Sequence, residues 1–223
     1  KMVSDNDAII ENAVDREYRS LSALSGVLEG IPRIVHNIDN VPLVAEQNGY
    51  VFAVLYHKYH GISPNNQTIT TDTMARLGAW LGNFHNAQID TDALSLIQLD
   101  WEGLFSERGV YHPGDDNMDI FTDEQIDTMV TVSLRIRRIM EEIFDNEEDA
   151  YGLIHGDLLL KNMLVDDTTF HVLDFEYCGH GYYLYDLTPS LWQLKPLPNY
   201  EILASSLWDA YVQVRPTAQK HRQ

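Results

Sequence analysis

The stretch Ile154-His155-Gly156-Asp157-Leu158-Leu159-Leu160-Lys161-Asn162, followed twelve residues on by Asp174-Phe175-Glu176, decides how this chain is read. Leu153-Ile154 leads into it as a short apolar strand. Met163-Leu164-Val165 and Phe170-His171-Val172-Leu173 then read as the two arms of a tight hairpin, turning at Asp166-Asp167-Thr168-Thr169. A hairpin brings its ends together. Asn162 precedes one arm and Asp174 closes the other, so the two should face one another across a short gap. Asp157, five residues before Asn162, falls on the loop that enters the hairpin. An amide oxygen and a carboxylate converging there suit a hard cation such as magnesium, with a second carboxylate left to orient a hydroxyl.

The pattern His-Gly-Asp-x-x-x-x-Asn followed by Asp-Phe-Glu resembles the catalytic and metal-binding loops of the aminoglycoside phosphotransferase and choline kinase group. These are small-molecule kinases with a protein-kinase-like fold. The following run Gly179-His180-Gly181-Tyr182-Tyr183-Leu184-Tyr185-Asp186-Leu187 is similar to the same group. The resemblance implies that Asp157 is the catalytic base. It implies that Asn162 and Asp174 hold the magnesium ions bridging the phosphates of ATP. Glu176 takes a minor metal or structural role in this reading, and His155 and Asp186 support the catalytic loop. A small molecule bearing a hydroxyl group is the implied acceptor. Aminoglycosides, amino alcohols and sugars all use this scaffold, and fold alone does not choose among them.

The segment Val54-Leu55-Tyr56-His57-Lys58-Tyr59-His60-Gly61 resembles the hinge at which backbone groups meet adenine, which would put Leu55, Tyr56 and His57 at the nucleotide. An edge strand with a polar end is the other reading. Glu17, on the first expected helix, matches the helix glutamate that pairs with a phosphate-holding lysine. Lys1 lies sixteen positions earlier and is read either as that lysine or as merely the first residue of a clipped chain. No glycine-rich phosphate loop is in the sequence. The resemblance runs from about Glu17 to Tyr211 and implies a chain shortened at both ends. A non-catalytic, nucleotide-binding or scaffolding remnant of the fold is therefore the alternative to a working kinase.

Bulk properties fit without deciding. A chain of 223 residues that is 44% hydrophobic can bury one substantial core or two small lobes. Cys178 stands alone, which excludes an internal disulfide and favours a reducing compartment, the cytoplasm. No apolar run is long enough to span a membrane. A net charge of −19 argues against nucleic acid and anionic membranes as partners. The acidity reads as solvated surface at Asp115-Asp116, Glu141-Glu142 and Asp145 through Asp149, or as an acidic cleft for a cationic substrate. Nine scattered histidines without a His-Glu-x-x-His pair disfavour a zinc hydrolase, and no Gly-x-Ser-x-Gly elbow occurs.

Along the chain, Asp7 is expected to cap a helix reaching Leu24, with Ile10, Val14, Leu21 and Leu24 inward, ended by Gly26 and Gly30-Ile31-Pro32. Arg33 to Ile38, Leu43 to Glu46 and Tyr50 to Tyr56 read as strands, the last two joined by Asn48-Gly49. Thr71 to Asn86 and Asp123 to Phe144 read as amphipathic helices. The first has Met74, Leu77, Leu81 and Phe84 inward, and the second carries Ile126, Val130, Leu134 and Ile136, with no inward face assigned to them. Trp101 to Asn117 is the expected acceptor region, and helices close the chain from about Asp186. The expected fold is α+β and two-lobed: residues 1–60 as the remnant of an N-terminal lobe with its hinge, and 61–223 as a mainly helical catalytic lobe.

Overall fold

The computed structural model describes residues 5–47, 50–91, 94, 96–106, 121–144 and 149–221. Lys1 and the Asn48-Gly49 turn lie outside the described residues. The order of elements is α1 (Asp5–Leu24), β1 (Val44–Gln47), β2 (Tyr50–Val54), α2 (Thr71–His85), β3 (Ile97–Leu99) and α3 (Trp101–Phe105), followed by α4 (Asp123–Phe144), β4 (Tyr151–Ile154), β5 (Met163–Val165), β6 (Phe170–Val172), β7 (Gly179–Tyr182), α5 (Tyr183–Leu194) and α6 (Tyr200–Val214). Helices and small, mostly antiparallel sheets mix as expected for an α+β chain.

α1 begins two residues before the expected cap, so Asp7 lies inside its first turn. Leu21 and Leu24 are buried as expected, and the buried face also carries Asp15, Arg16 and Ser20. These polar groups are there because α1 is fastened to two partners. Asp15 Oδ1 accepts the Val51 amide at 3.2 Å, and Arg16 Nε donates to the Glu176 carbonyl at 2.6 Å.

The segment Arg33 to Ile38 is not a continuous strand. It joins its neighbours only through single bridges, Ile34 to Tyr56 and His36 to Pro42. Pro42 has no amide to give a ladder, and the chain reverses at once. Asn37 Oδ1 accepts from the Asp39 and Val41 amides, both at 2.9 Å, and Asn40 adopts a left-handed φ of 60°.

α2 forms as its periodicity requires. Thr70 caps it by accepting the Thr73 amide at 3.1 Å, and Met74, Leu77, Leu81 and Phe84 are all fully buried. They pack against Leu203, Leu207 and Tyr211 of α6. At Gly78 the two helices approach so closely that a Cβ would run into the Leu207 carbonyl. The same core takes in Leu21 and Leu24 of α1, Phe175 and Leu194, so the first helix and the C-terminal helices share one apolar interior. Each fully buried side chain of this kind contributes about 1.5–3 kcal/mol.

α4 has the expected bounds, and its apolar residues are not all covered. Leu134 and Ile136 are 51% and 41% exposed, while Ser133 is buried. A helical period says which residues share a face; whether a partner covers that face depends on the neighbours, and among the described elements α4 rests mainly on α3.

The hairpin is as read. β5 and β6 pair antiparallel with Met163 opposite Val172 and Val165 opposite Phe170. Its turn is closed by Asp166, whose Oδ1 accepts the Thr168 and Thr169 amides at 2.8 and 2.7 Å. These bonds hold the Asp166 carboxyl far below the usual carboxylate range. A second, three-stranded sheet runs β3-β7-β4, with β7 parallel to β3 and antiparallel to β4.

Candidate active site

β4 delivers His155, Gly156 and Asp157 to the end of the three-stranded sheet, and the loop there is held by one buried acid. Asp186 Oδ2 accepts the His155 amide at 2.7 Å, and its Oδ1 accepts the Gly156 amide at 2.8 Å. Gly156 needs a left-handed φ of 82°, and a Cβ there would stand 2.6 Å from the Tyr177 carbonyl, so only glycine fits. Asp186 itself is set by the first turn of α5. Pro189, in that helix, cannot offer an amide to the Tyr185 carbonyl, and Thr188 Oγ1 donates to it instead at 2.6 Å.

Two buried histidines complete the support, and their protons follow from their partners. His85 Nε2 lies 3.1 Å from Asp186 Oδ2, and its Nδ1 lies 2.9 Å from the Tyr211 hydroxyl. Burial pushes the His85 imidazole below its ordinary pKa, so it is neutral. A carboxylate only accepts, so Nε2–H donates to Asp186 and the Tyr211 O–H donates to Nδ1. His155 follows the same logic. Its Nε2–H donates to the Leu173 carbonyl at 3.0 Å, and its Nδ1 accepts the Asp157 amide at 3.3 Å. Neither histidine has a ring nitrogen left for chemistry.

The hairpin then brings the expected residues together. Asn162 Nδ2 donates to the Asp157 backbone carbonyl at 2.9 Å and to Asp157 Oδ2 at 3.0 Å. The Leu173 amide donates to the Asn162 carbonyl at 2.8 Å, so Asp174, the next residue, emerges beside Asn162. Asp174 is one of two non-glycine residues in the described chain with a positive φ, at 69°. A left-handed aspartate at the end of a strand is held by its surroundings rather than by its own preference. Here the next amide, that of Phe175, is taken by Glu17 Oε1 at 3.1 Å.

These residues fit a divalent cation. With Nδ2 engaged, Asn162 keeps its amide oxygen as a donor to a metal. The Asp174 carboxylate makes no hydrogen bond or ion pair among the described residues. A carboxylate and an amide oxygen are hard ligands of the kind magnesium takes in small number, completing its shell with phosphate oxygens and water. Among the described residues, no three His, Cys, Asp or Glu side chains form a cage on their own.

Glu17 is held between Phe175 and Tyr56, whose hydroxyl donates to Oε2 at 3.2 Å. Burial, the largest influence, raises its carboxyl above the ordinary glutamate range. The folded protein therefore holds this proton more tightly than the unfolded chain does. The stability so conferred is full below the ordinary value of about 4.3 and is lost as pH rises through the raised folded value. Glu17→Gln has no proton to lose, so its stability is expected to gain steadily on wild type from about pH 4 to 7. Urea midpoints measured across that range check it; a constant difference would contradict the buried acid.

Of the expected hinge, Leu55 has both backbone groups occupied, its amide by the Leu43 carbonyl at 3.0 Å and its carbonyl by the Val35 amide at 2.8 Å. The His57 amide donates to the Arg33 carbonyl at 2.9 Å, and the His57 side chain is exposed. Tyr56, between them, directs its side chain to Glu17.

The described start of the expected acceptor region, Trp101 to Phe105, borders a cleft whose other walls sequence reasoning did not name. Asp157 opens onto a cavity of about 630 Å³ lined also by Leu99, Trp101, Leu104 and Phe105, by Tyr177, Tyr182 and Tyr185, and by Glu176 and Lys161. Asp100 caps α3 through the Gly103 amide at 2.9 Å and takes the Tyr151 hydroxyl at 2.7 Å, so it is committed to structure. Arg137 lies over the Trp101 ring at 4.4 Å. The Glu176 carboxyl is pushed up by burial and by the neighbouring Asp174 and Asp157. Cys178 is buried, and its thiol is pushed up to about 12, as expected of an inert packed sulfur.

No curated protein matches the sequence. Solved structures do resemble it. A microcompartment-associated aminopropanol kinase is similar over 92% of this chain and 65% of its own, with a TM-score of 0.65 and 22% identity. The amicoumacin kinase hAmiN, solved with AMP-PNP and Ca2+, is similar over 92% of this chain and 61% of its own, with a TM-score of 0.60 and 18% identity. A GDP and kanamycin complex of the aminoglycoside phosphotransferase APH(2")-IIIa covers 96% of this chain and 77% of its own, with a TM-score of 0.55 and 18% identity. The chain thus spans less than two thirds of the length of the first two. At these identities the likeness establishes the small-molecule-kinase fold. The model of the phosphotransferase enzyme family matches residues 11–216, nearly the whole described chain including every loop of the site, and the chain belongs to that family.

Proposed function

We propose that this chain is the catalytic part of an ATP- and magnesium-dependent kinase that phosphorylates a hydroxyl group of a small molecule. The observation that carries the proposal is the arrangement at Asp157. Its carboxylate is tied to Asn162 at 3.0 Å, sits on a loop anchored by Asp186, and borders a cavity of acceptor size. Asp157 orients the acceptor hydroxyl and takes its proton. Asn162 and Asp174 are the metal ligands. Magnesium, when bound there, supplies charge neutralisation at the phosphates. The rest of the work is positioning, which the buried support behind the loop is built to do. The complex of amicoumacin kinase with AMP-PNP and Ca2+ supports a nucleotide and a divalent ion in this fold.

Residues 1–60 and 61–223 form two functional parts in this reading, meeting at the hinge although they share one core. The acceptor is a compact hydroxylated amine with an apolar body. The cavity wall supports this, being largely Leu, Phe, Trp and Tyr with one uncommitted carboxylate, Glu176, at its rim. A second reading, a nucleotide-binding remnant, is favoured by Glu17, whose carboxylate is held by a tyrosine and an amide among the described residues.

Calorimetry with ATP separates the metal site from generic binding. Wild type is expected to bind ATP only with magnesium, and Asp174→Ala to lose at least ~10-fold in affinity, the weight of a metal ligand. A folded wild type that binds no nucleotide would sink the kinase reading.

A further inference from the structure

We infer that Lys161 is a catalytic residue, the cation that this chain sets against the phosphoryl group as it transfers. The inference rests on the kinase reading above and adds a residue to it. Lys161 lies between the proposed base and the proposed metal ligand, on the single 3-10 turn Leu160–Asn162. That turn is pinned on three sides. The Leu160 amide donates to Gln193 Oε1 at 2.8 Å, the Ser63 hydroxyl to the Lys161 carbonyl at 3.3 Å, and the Asn162 amide to the Leu159 carbonyl at 2.9 Å. The backbone of Lys161 is thus held while its side chain is 65% exposed and reaches into the cleft mouth.

Its ammonium stands 3.8 Å from Asp157 Oδ2. An exposed pair at that separation adds little stability, so the contact does not explain the residue. Charge at the site does. Asp157 and Glu176 both line the cleft, with Asp174 two residues before Glu176, and a polyphosphate brought among these carboxylates meets repulsion. Arg16 has turned its guanidinium to the Glu176 carbonyl and is buried. Among the described residues that line the cleft, Lys161 carries the only positive charge. A lysine suits the task because its ammonium is a point charge on a flexible stem, free to leave Asp157 for a phosphate oxygen.

In the step itself a bond forms between the acceptor oxygen and the γ-phosphorus of ATP, and the bond from that phosphorus to the β–γ bridging oxygen breaks. The hydroxyl proton passes to Asp157, and the electron pair leaves with ADP. Lys161 offsets the charge on the γ-phosphoryl oxygens and releases Asp157 to accept the proton.

The test compares wild type with Lys161→Ala and Lys161→Arg. Calorimetry with magnesium and either ATP or ADP is followed by phosphoryl transfer to a panel of small amino alcohols, or to water if none is accepted. Lys161→Ala is expected to lose ~10-fold in ATP affinity with ADP affinity and melting temperature unchanged, as one charge-assisted contact to the γ-phosphate requires. Turnover is expected to fall ~10²-fold with the acceptor KM unchanged, and Lys161→Arg to recover part of both losses. Equal losses for ATP and ADP, or an alanine variant that binds ATP and turns over like wild type, would overturn the role of Lys161 and leave the kinase reading standing. A wild type that binds neither nucleotide overturns both.

Discussion

Asp157→Ala is expected to lower turnover by ~10³-fold while leaving magnesium-dependent ATP binding and the melting temperature close to wild type. The side chain is about a quarter exposed at the cleft, and of its hydrogen bonds only the one from Asn162 Nδ2 reaches the carboxylate. Asn162 keeps its second bond from the same nitrogen, to the Asp157 backbone carbonyl, so the loop has no reason to move. Asp157→Asn is the sharper comparison, because it preserves size and one oxygen but can no longer take a proton. Turnover near wild type in the asparagine variant would show that orientation, not proton acceptance, is what the residue supplies. Turnover near wild type in both would remove Asp157 from the mechanism.

The largest effect on folding is expected at Asp186. Its carboxylate is wholly buried and receives two loop amides and the Nε2–H of His85. Asp186→Ala leaves all three donors without an acceptor in a place water does not reach, a loss of about 3–5 kcal/mol by analogy with breaking a buried ionic partner. For a chain of this size that corresponds to a melting point lower by roughly 10 °C. The damage is not confined to stability, since the amides freed belong to His155 and Gly156, immediately before the proposed base. Urea unfolding monitored together with nucleotide binding would separate the two effects. Wild-type stability in Asp186→Ala would mean that the loop amides are satisfied in some other way.

Much of the site was legible in sequence because its geometry is local. Asp157, Asn162 and Asp174 lie within eighteen positions, and a hairpin with an Asx-type turn leaves one way for its ends to meet. α2 was equally legible, since Met74, Leu77, Leu81 and Phe84 repeat at the helical period and are buried together. The same reasoning could not say which face of α4 is covered. Leu134 and Ile136 share a stripe, but the stripe gains nothing unless another element covers it, and Ile136 instead borders the cleft.

By itself, the sequence determined the hairpin, the helix that carries Glu17, the identity of the loop residues and the family they resemble. Only the tertiary structure decided who holds whom. Glu17 meets Tyr56 across 39 positions, His85 meets Asp186 across 101 and Tyr211 across 126, and Lys161 comes to line a cleft whose described walls come from four separate stretches of chain. Short-range pairings are dictated by backbone dihedrals and side-chain period, which a local string encodes. Long-range ones are chosen by how apolar faces pack into one close-filled interior, and polar side chains then find the partners that packing has brought near.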